Sequence, residues 1–149
     1  MAKNDNNKKT LEVKQVVDAY AILKVANLSK IATTTDKYRV VDALRYLRPV
    51  DAEHDATVVD ARETLKPVKY DETTKRIRES EELRQVDILR SNILTEAYNE
   101  AMDGFIRKEM SREIEVPIIP LGKDCMDKLI EGNPAWTPEQ IMTVIDVLG

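Results

Sequence analysis

The residues from Thr74 to Met110 include no proline and one glycine, Gly104, in a pattern that mixes charged and apolar side chains. This composition predicts one long helix, because proline and glycine are the residues that most disfavour a helix interior. At about 1.5 Å per residue such a helix is roughly 50 Å long or more, whereas a compact domain of this chain length has a radius of gyration of about 15 Å. We therefore expect a mainly α fold, as an elongated helical bundle or hairpin.

Apolar residues recur along this helix mostly three or four positions apart, which predicts one buried face. That stripe consists of Ile77, Leu83, Val86, Leu89, Ile93, Ala97, Ala101 and Phe105. Between Lys75 and Arg90 basic and acidic residues interleave, which is typical of a solvated face with ion pairs three or four residues apart. The alternative interpretation of this stretch is a charged docking surface.

Two further helices are predicted before the long one. Thr10 is a candidate N-cap for a first helix that extends to about Leu28, with apolar residues on nearly two faces. A second helix is expected from about Thr34 to just before Pro67, and Pro49 should kink or break it, because proline removes a helical hydrogen bond. The heptad-like seam of this helix consists of Val40, Leu44, Leu47, His54, Val58, Ala61 and Leu65.

Polar and apolar residues alternate after the long helix, which predicts an extended segment over Glu113–Leu121. Pro117 cannot donate to a strand ladder, so this segment belongs at a sheet edge or on an unpaired path, and such an edge can recruit another strand. A short amphipathic helix with Cys125 follows Gly122. The last helix begins at Thr137, where Thr-Pro-Glu-Gln combines an N-cap, a proline at the first helical position and a capping box.

Composition excludes several classes of protein. The net charge of −4 gives no general attraction to nucleic acid. No run of 18 apolar residues exists, so we expect no membrane contact and a cytoplasmic location. One cysteine, Cys125, forms no internal disulfide, which suits a reducing compartment. We expect residues 1–9 to be a disordered tail and residues 10–149 to form one helical domain.

No group of residues in the sequence predicts catalysis, a metal or a cofactor. Asp51, His54 and Asp55 share one helix face, yet no second cluster of histidine or cysteine completes a zinc site. We interpret His54 as a half-exposed polar break in a packing seam, and Cys125 as a small hydrophobe. The pair Glu113 and Glu115 is expected on one solvated face, without the apolar pocket that would shift a pKa.

Trp136 precedes the last helix, where it acts either as a staple into the core or as an exposed anchor for a partner, and the staple is favoured. The tyrosines do not form a stacking platform beside a basic groove, which binding of single-stranded nucleic acid needs. Four of the five tyrosines are scattered at helical positions: Tyr20, Tyr38, Tyr46 and Tyr98.

Both ends of the chain carry a family resemblance. The matching residues are Leu23–Leu28 with Lys37–Val40, Glu113–Leu121, and Thr137–Ile141, while Asp71–Met110 matches only as generic helix. In these segments the chain resembles a family of small phage- and prophage-encoded proteins of unknown function. The resemblance implies a viral or mobile-element origin and brings no established activity or functional residue.

These features together predict a non-catalytic phage-type interaction or assembly protein, cytoplasmic in the host cell or associated with the virion, that self-associates or docks on a virion or host protein. The predicted partner-binding residues are Ile114, Val116, Ile118, Leu121, Trp136 and Ile141. One alternative is a small regulator that binds nucleic acid through the lysines of the tail and the Lys75–Arg90 stretch. Another is an inhibitor of a host defence protein. We expect no enzyme activity and no cofactor.

Overall fold

The fold is mainly α-helical with a small antiparallel sheet, as the sequence predicts. A computed structural model describes residues 8–66 and 85–149, and these residues form five helices and two strands. In chain order they are β1 (Lys9–Glu12), α1 (Val13–Leu23), α2 (Thr34–Leu65), α3 (Gln85–Met110), β2 (Glu113–Val116), α4 (Lys123–Glu131) and α5 (Pro138–Leu148). The chain divides into two compact units: a first unit of Met1–His54 with Met110–Gly149, and a second unit of Asp55–Glu109.

The sheet joins the two sequence ends of the first unit. β1 pairs antiparallel with β2 in a register that sets Lys9 opposite Val116 and Glu12 opposite Glu113. The predicted extended segment is therefore confirmed for β2, and the strand it recruits belongs to its own chain. The predicted N-cap at Thr10 is wrong, because Thr10 lies in β1, and α1 begins three residues later. The pairing partner of Thr10 lies over a hundred residues away in sequence, so local pattern could not reveal this strand.

Hydrogen bonds hold the turn after α1 against the end of α4. Helix α1 ends at Leu23, so the predicted end near Leu28 is wrong. The Asn133 side chain accepts a hydrogen bond from the Asn27 backbone N–H (2.8 Å) and donates to the carbonyl oxygens of Asn27 (3.0 Å) and Leu129 (2.8 Å). Gly132 permits this approach, because a Cβ there would lie 2.9 Å from the Asn27 carbonyl oxygen.

Helix α2 continues through Pro49, so the expected break does not occur. Leu47 before the proline is fully buried and His54 after it is only 5% exposed. We attribute the continuity to this packing on both sides, which outweighs the one hydrogen bond that proline removes. The predicted seam is confirmed, with Val40 and Ala61 also buried. The expectation of a half-exposed His54 is wrong, because His54 occupies a seam position seven residues after Leu47.

The first unit has one continuous core, built from α1, the first part of α2, α4, α5 and the chain around β2. Its fully buried side chains include Val16, Leu47, Leu129 and Leu148. Helix α5 starts as predicted: the Thr137 hydroxyl accepts a hydrogen bond from the Gln140 backbone N–H at 3.2 Å. At its other end the Leu121 N–H donates to the Leu148 carbonyl at 2.7 Å, and the Lys9 ammonium donates to the Val147 and Gly149 carbonyls.

The second unit consists, in its described residues, of the last part of α2 and helix α3. The Tyr98 hydroxyl donates to the Arg62 carbonyl at 3.2 Å. The predicted buried stripe of the long helix is wrong for three of its four described members: Ile93 is 56% exposed, and Ala97 and Ala101 are also exposed, while Phe105 is half-buried. The inward positions are instead Met102 and Glu109, which are buried, together with half-buried Leu94, Tyr98, Phe105 and Ile106.

Both sets of α3 residues have helical spacing, so periodicity alone could not choose between them. Residues 74–84, with the predicted start of the helix, lie outside the described residues, as do the side chains of residues 85–91. Residues 1–7 of the predicted tail also lie outside them, whereas Lys9 belongs to β1.

Candidate protein-binding surfaces

The first unit exposes apolar side chains beside a groove between α2 and the residues that follow β2. Tyr46 is 46% exposed and Ile119 is 55% exposed. The lining of this groove, called the α2 groove below, consists of Arg39, Asp42, Ala43, Tyr46, Pro117, Ile118 and Ile119. Its volume is about 90 Å³. Pockets for small molecules run from about 300 Å³ upward, so the size of the α2 groove suits a single side chain of a partner.

The chain on one side of the α2 groove is fixed at both ends. Val116 and Ile118 are 3% and 2% exposed, and the Ile118 N–H donates to the Val116 carbonyl at 2.9 Å. The hydrogen bond from Leu121 to the end of α5 fixes the far end. Because alternate side chains of an extended chain point to opposite sides, burying Val116 and Ile118 turns Pro117 and Ile119 outward.

Among the charged residues that line the α2 groove, Arg39 is the cation available to pair with an acidic group of a partner. Asp42 and Arg45 lie 3.7 Å apart and form an exposed ion pair. Arg39 is exposed and lines the groove, and it forms no ion pair with any residue of the described ranges 8–66 and 85–149. Tyrosine and arginine are the residues that most often dominate protein interfaces. The groove therefore combines an apolar wall, a tyrosine and an available guanidinium.

A second apolar surface lies on helix α5. Its inward side buries Val144, Val147 and Leu148, while Met142 is 59% exposed and Ile145 is 44% exposed. Glu139 and Asp146 are exposed beside these two side chains. The surface of Met142, Ile145, Glu139 and Asp146 is called the α5 face below. It is acidic, whereas the available charge of the α2 groove is basic.

The predicted partner-binding residues lie mostly on the inner side of these surfaces. Val116, Ile118 and Leu121 are buried in the core of their own chain. Ile114 and Trp136 are partly buried against that core, which for Trp136 agrees with the favoured staple, and Ile141 is partly buried.

On these two surfaces, the exposed apolar residues that sequence reasoning missed are Tyr46, Ile119, Met142 and Ile145. The signal for Ile119 was the alternation itself, which gives two faces without saying which one is buried. The predicted residues thus lie near exposed apolar ones: buried Ile118 directly precedes exposed Ile119 in the chain.

The titratable residues singled out in the sequence do not converge. In the parts of the chain that the structure describes, no group of three or more His, Cys, Asp or Glu residues has the spacing to hold a metal ion. Glu113 and Glu115 are both exposed on β2. Cys125 is 5% exposed, with its Sγ atom 4.0 Å from the Asp36 carbonyl oxygen, and burial raises the pKa of its thiol.

The lysines of the nucleic-acid alternative are only partly described. Burial lowers the pKa of Lys9, whose ammonium donates to the carbonyls at the end of α5. Lys3 and residues 75–84 lie outside the described residues. Of the two N-terminal lysines that the structure describes, Lys9 is therefore engaged by its own chain and Lys8 is exposed.

No protein-family model, no curated protein and no solved structure matches this chain. None of the described helices combines the length and the apolar character that crossing a bilayer requires. What the chain does is therefore inferred from its own residues.

Proposed function

We propose that this chain is a non-catalytic interaction protein, of the phage type that the resemblance implies, and that it works by binding other protein, copies of itself included. The observation that carries the proposal is the α2 groove, where Tyr46 and Ile119 are each about half exposed next to an available arginine. Exposing an isoleucine and a tyrosine together leaves apolar area in water, which a protein partner would cover with a gain in free energy.

The α5 face supports the same proposal independently. Met142 is unbranched and polarizable, so it adapts to differently shaped partners and is common at binding surfaces. Two such surfaces on one unit allow the chain to contact more than one neighbour, which an assembly protein requires. A nucleic-acid partner is less favoured, because both surfaces are apolar and one of them is acidic.

Site-specific photo-crosslinking tests the proposal in the expressing cell. A benzophenone amino acid replaces Tyr46 in one variant and Met142 in another, and a third variant carries it at Asp127, an exposed charged position of α4. We expect protein adducts at Tyr46 or Met142 well above those at Asp127. Adducts no more abundant than at Asp127 would refute a protein-binding function, and adducts sensitive to nuclease would favour the nucleic-acid regulator.

A further inference from the structure

We propose that the α2 groove of one copy of this chain receives the α5 face of a second copy, so that copies associate head to tail. This inference rests on the proposed function and names its partner. Its first support is size. The groove volume of about 90 Å³ is well below the ~300 Å³ at which small-molecule pockets begin, which suits one aliphatic side chain. Met142 and Ile145 are the exposed side chains of that kind on α5.

The second support is charge complementarity. Arg39 lines the groove without an ion pair among the described residues. On the α5 face, Glu139, Met142 and Asp146 follow one another at spacings of three and four residues, so the two carboxylates and the methionine share one side of the helix. Neither carboxylate is within ion-pair distance of a described cation. A side chain of α5 in the groove would bring a carboxylate to Arg39.

The cations near α5 are already engaged within their own chain. Lys9 interacts electrostatically with Asp146, but its ammonium donates hydrogen bonds to the Val147 and Gly149 carbonyls. Lys14 lies near Glu139 and is bonded to Asp18 at 2.7 Å. These lysines reduce the negative potential of the α5 face without covering its carboxylates.

Symmetric contacts are disfavoured by the same charges. Groove against groove would place one Arg39 near another, and α5 face against α5 face would bring together two pairs of carboxylates. Juxtaposed like charges oppose binding, whereas groove against α5 face pairs opposite charges. A contact between two different surfaces is heterologous, and repeating it builds a ring or an open filament. Because each contact is small, the association should depend on concentration and weaken with salt.

A complementation experiment tests the inference with the full chain. Ile119→Asp disables the groove and Met142→Asp disables the α5 face, so each variant alone should stay monomeric in sedimentation velocity up to about millimolar concentration. Mixed together, the two variants retain one intact groove and one intact α5 face. We expect the mixture to form a 1:1 dimer and to grow no further, while the wild type forms larger species. A symmetric interface would instead leave one of the two variants able to dimerise on its own, because each variant keeps one of the two surfaces intact.

Matched controls come from the second unit. Ile93 and Val59 are each 56% exposed, close to the 55% of Ile119 and the 59% of Met142. Ile93→Asp repeats the isoleucine-to-aspartate change, Val59→Asp places an aspartate at a second exposed apolar position, and both variants should associate like the wild type. If an aspartate variant fails to fold by circular dichroism, the charge-exchange pair Arg39→Glu and Glu139→Lys replaces it. Either single exchange should weaken association at least several-fold, and the double variant should recover it.

Two results overturn the inference. One is a wild type that stays monomeric over the whole concentration range, and the other is an associating wild type whose two aspartate variants form no dimer when mixed. The proposed function is judged separately by crosslinking: adducts of a different protein at Tyr46 or Met142 with a monomeric wild type would leave it standing and remove only head-to-tail association.

Discussion

In the residues that the structure describes, the two units of this chain differ in how completely they bury their apolar side chains. In the first unit, helices, sheet and loop contribute to one buried cluster, and Val13, Val16, Leu47, Leu129 and Val144 have no exposed surface. In the described residues of the second unit, the buried side chains are those of Ala61, Met102 and Glu109. Elements that converge from several directions bury whole side chains, whereas the buried apolar side chains among the described residues of the second unit, Ala61 and Met102, keep 6% and 7% of their surface exposed.

This difference explains where the sequence pattern correctly predicted which face of a helix is buried. A residue in the first unit has neighbours from several elements, so the identity of its inward face is strongly determined. On α3 two neighbouring stripes of similar hydrophobicity compete, and a rotation by one residue exchanges them. The difference in burial also predicts where substitutions should be costly.

The largest effect is expected from truncating a buried leucine of the first unit. Leu129 has no exposed surface, so Leu129→Ala should cost about 2 to 5 kcal/mol of unfolding free energy, because it loses transfer free energy and leaves a cavity. Leu94 on α3 is half-buried, and Leu94→Ala should cost about 1 to 2 kcal/mol. Guanidinium denaturation measures both.

Two optical probes distinguish the units in that measurement. The one tryptophan of the chain, Trp136, belongs to the first unit, so its fluorescence reports on that unit, while far-ultraviolet circular dichroism reports on all helices. Equal costs for the two leucine substitutions would show that the second unit is packed as completely as the first, contrary to the burial of its described residues.

The next effect should come from Asn133, whose side chain makes three hydrogen bonds to the backbone of Asn27 and Leu129. Asn133→Ala should cost about 1 to 2 kcal/mol, because the Asn27 groups regain water only in part. Asn99→Ala is the counterpart on the second unit: Asn99 is exposed on α3, and its substitution should change stability by less than about 0.5 kcal/mol. Thermal unfolding measures both.

Gly132→Ala perturbs the same contact between the turn after α1 and α4 while leaving the side-chain amide of Asn133 unchanged. The new Cβ would lie 2.9 Å from the Asn27 carbonyl oxygen, so the turn after α1 must move away from α4. We expect a loss of stability that does not add to that of Asn133→Ala, since both changes disrupt one contact. Full additivity of the two losses would show that the Asn133 hydrogen bonds and this close approach act separately.

Much of the fold was predictable because its signals are local. The N-cap and capping box at Thr137 fix the start of α5, and the heptad seam of α2 predicted the buried positions of Leu47 and Ala61. Strand β1 was not predictable, since Thr10, Leu11 and Glu12 also suit a helix start and their partner strand lies near the other end of the chain. Pairing over such a distance has no local signature.

The sequence directed attention to the segment after β2 and to the helix from Thr137, and both carry exposed apolar side chains. The side chains that were named there are different ones: Val116, Ile118 and Leu121 are buried, and Ile114, Trp136 and Ile141 are partly buried. Which side of an extended segment is buried depends on what packs against it, and here α2 supplies Ala43 and Tyr46 beside Ile119. The proposed pairing of Arg39 with the acidic groups of α5 rests on which side chains the fold leaves exposed, and no spacing in the sequence indicates that.

The smallest expected effect concerns Cys125, the one cysteine of the chain, which lies in the core of the first unit. Burial raises the pKa of its thiol above the ordinary 9.0, Asp36 adds to this, and Arg39 opposes it. The folded state thus favours the neutral thiol: this contribution to stability is complete below pH 9.0 and is lost as the pH rises through the folded pKa. Lys9 has a lowered pKa and acts in the opposite direction, so the comparison must be with Cys125→Ala, which keeps Lys9.

Stability followed through Trp136 fluorescence should fall more between pH 8 and 10 in the wild type than in Cys125→Ala, and native Cys125 should react slowly with a thiol reagent at pH 8. Equal slopes with a fast-reacting thiol would mean that the core of the first unit opens locally around α4, and that the two units differ less in packing than their exposed areas indicate.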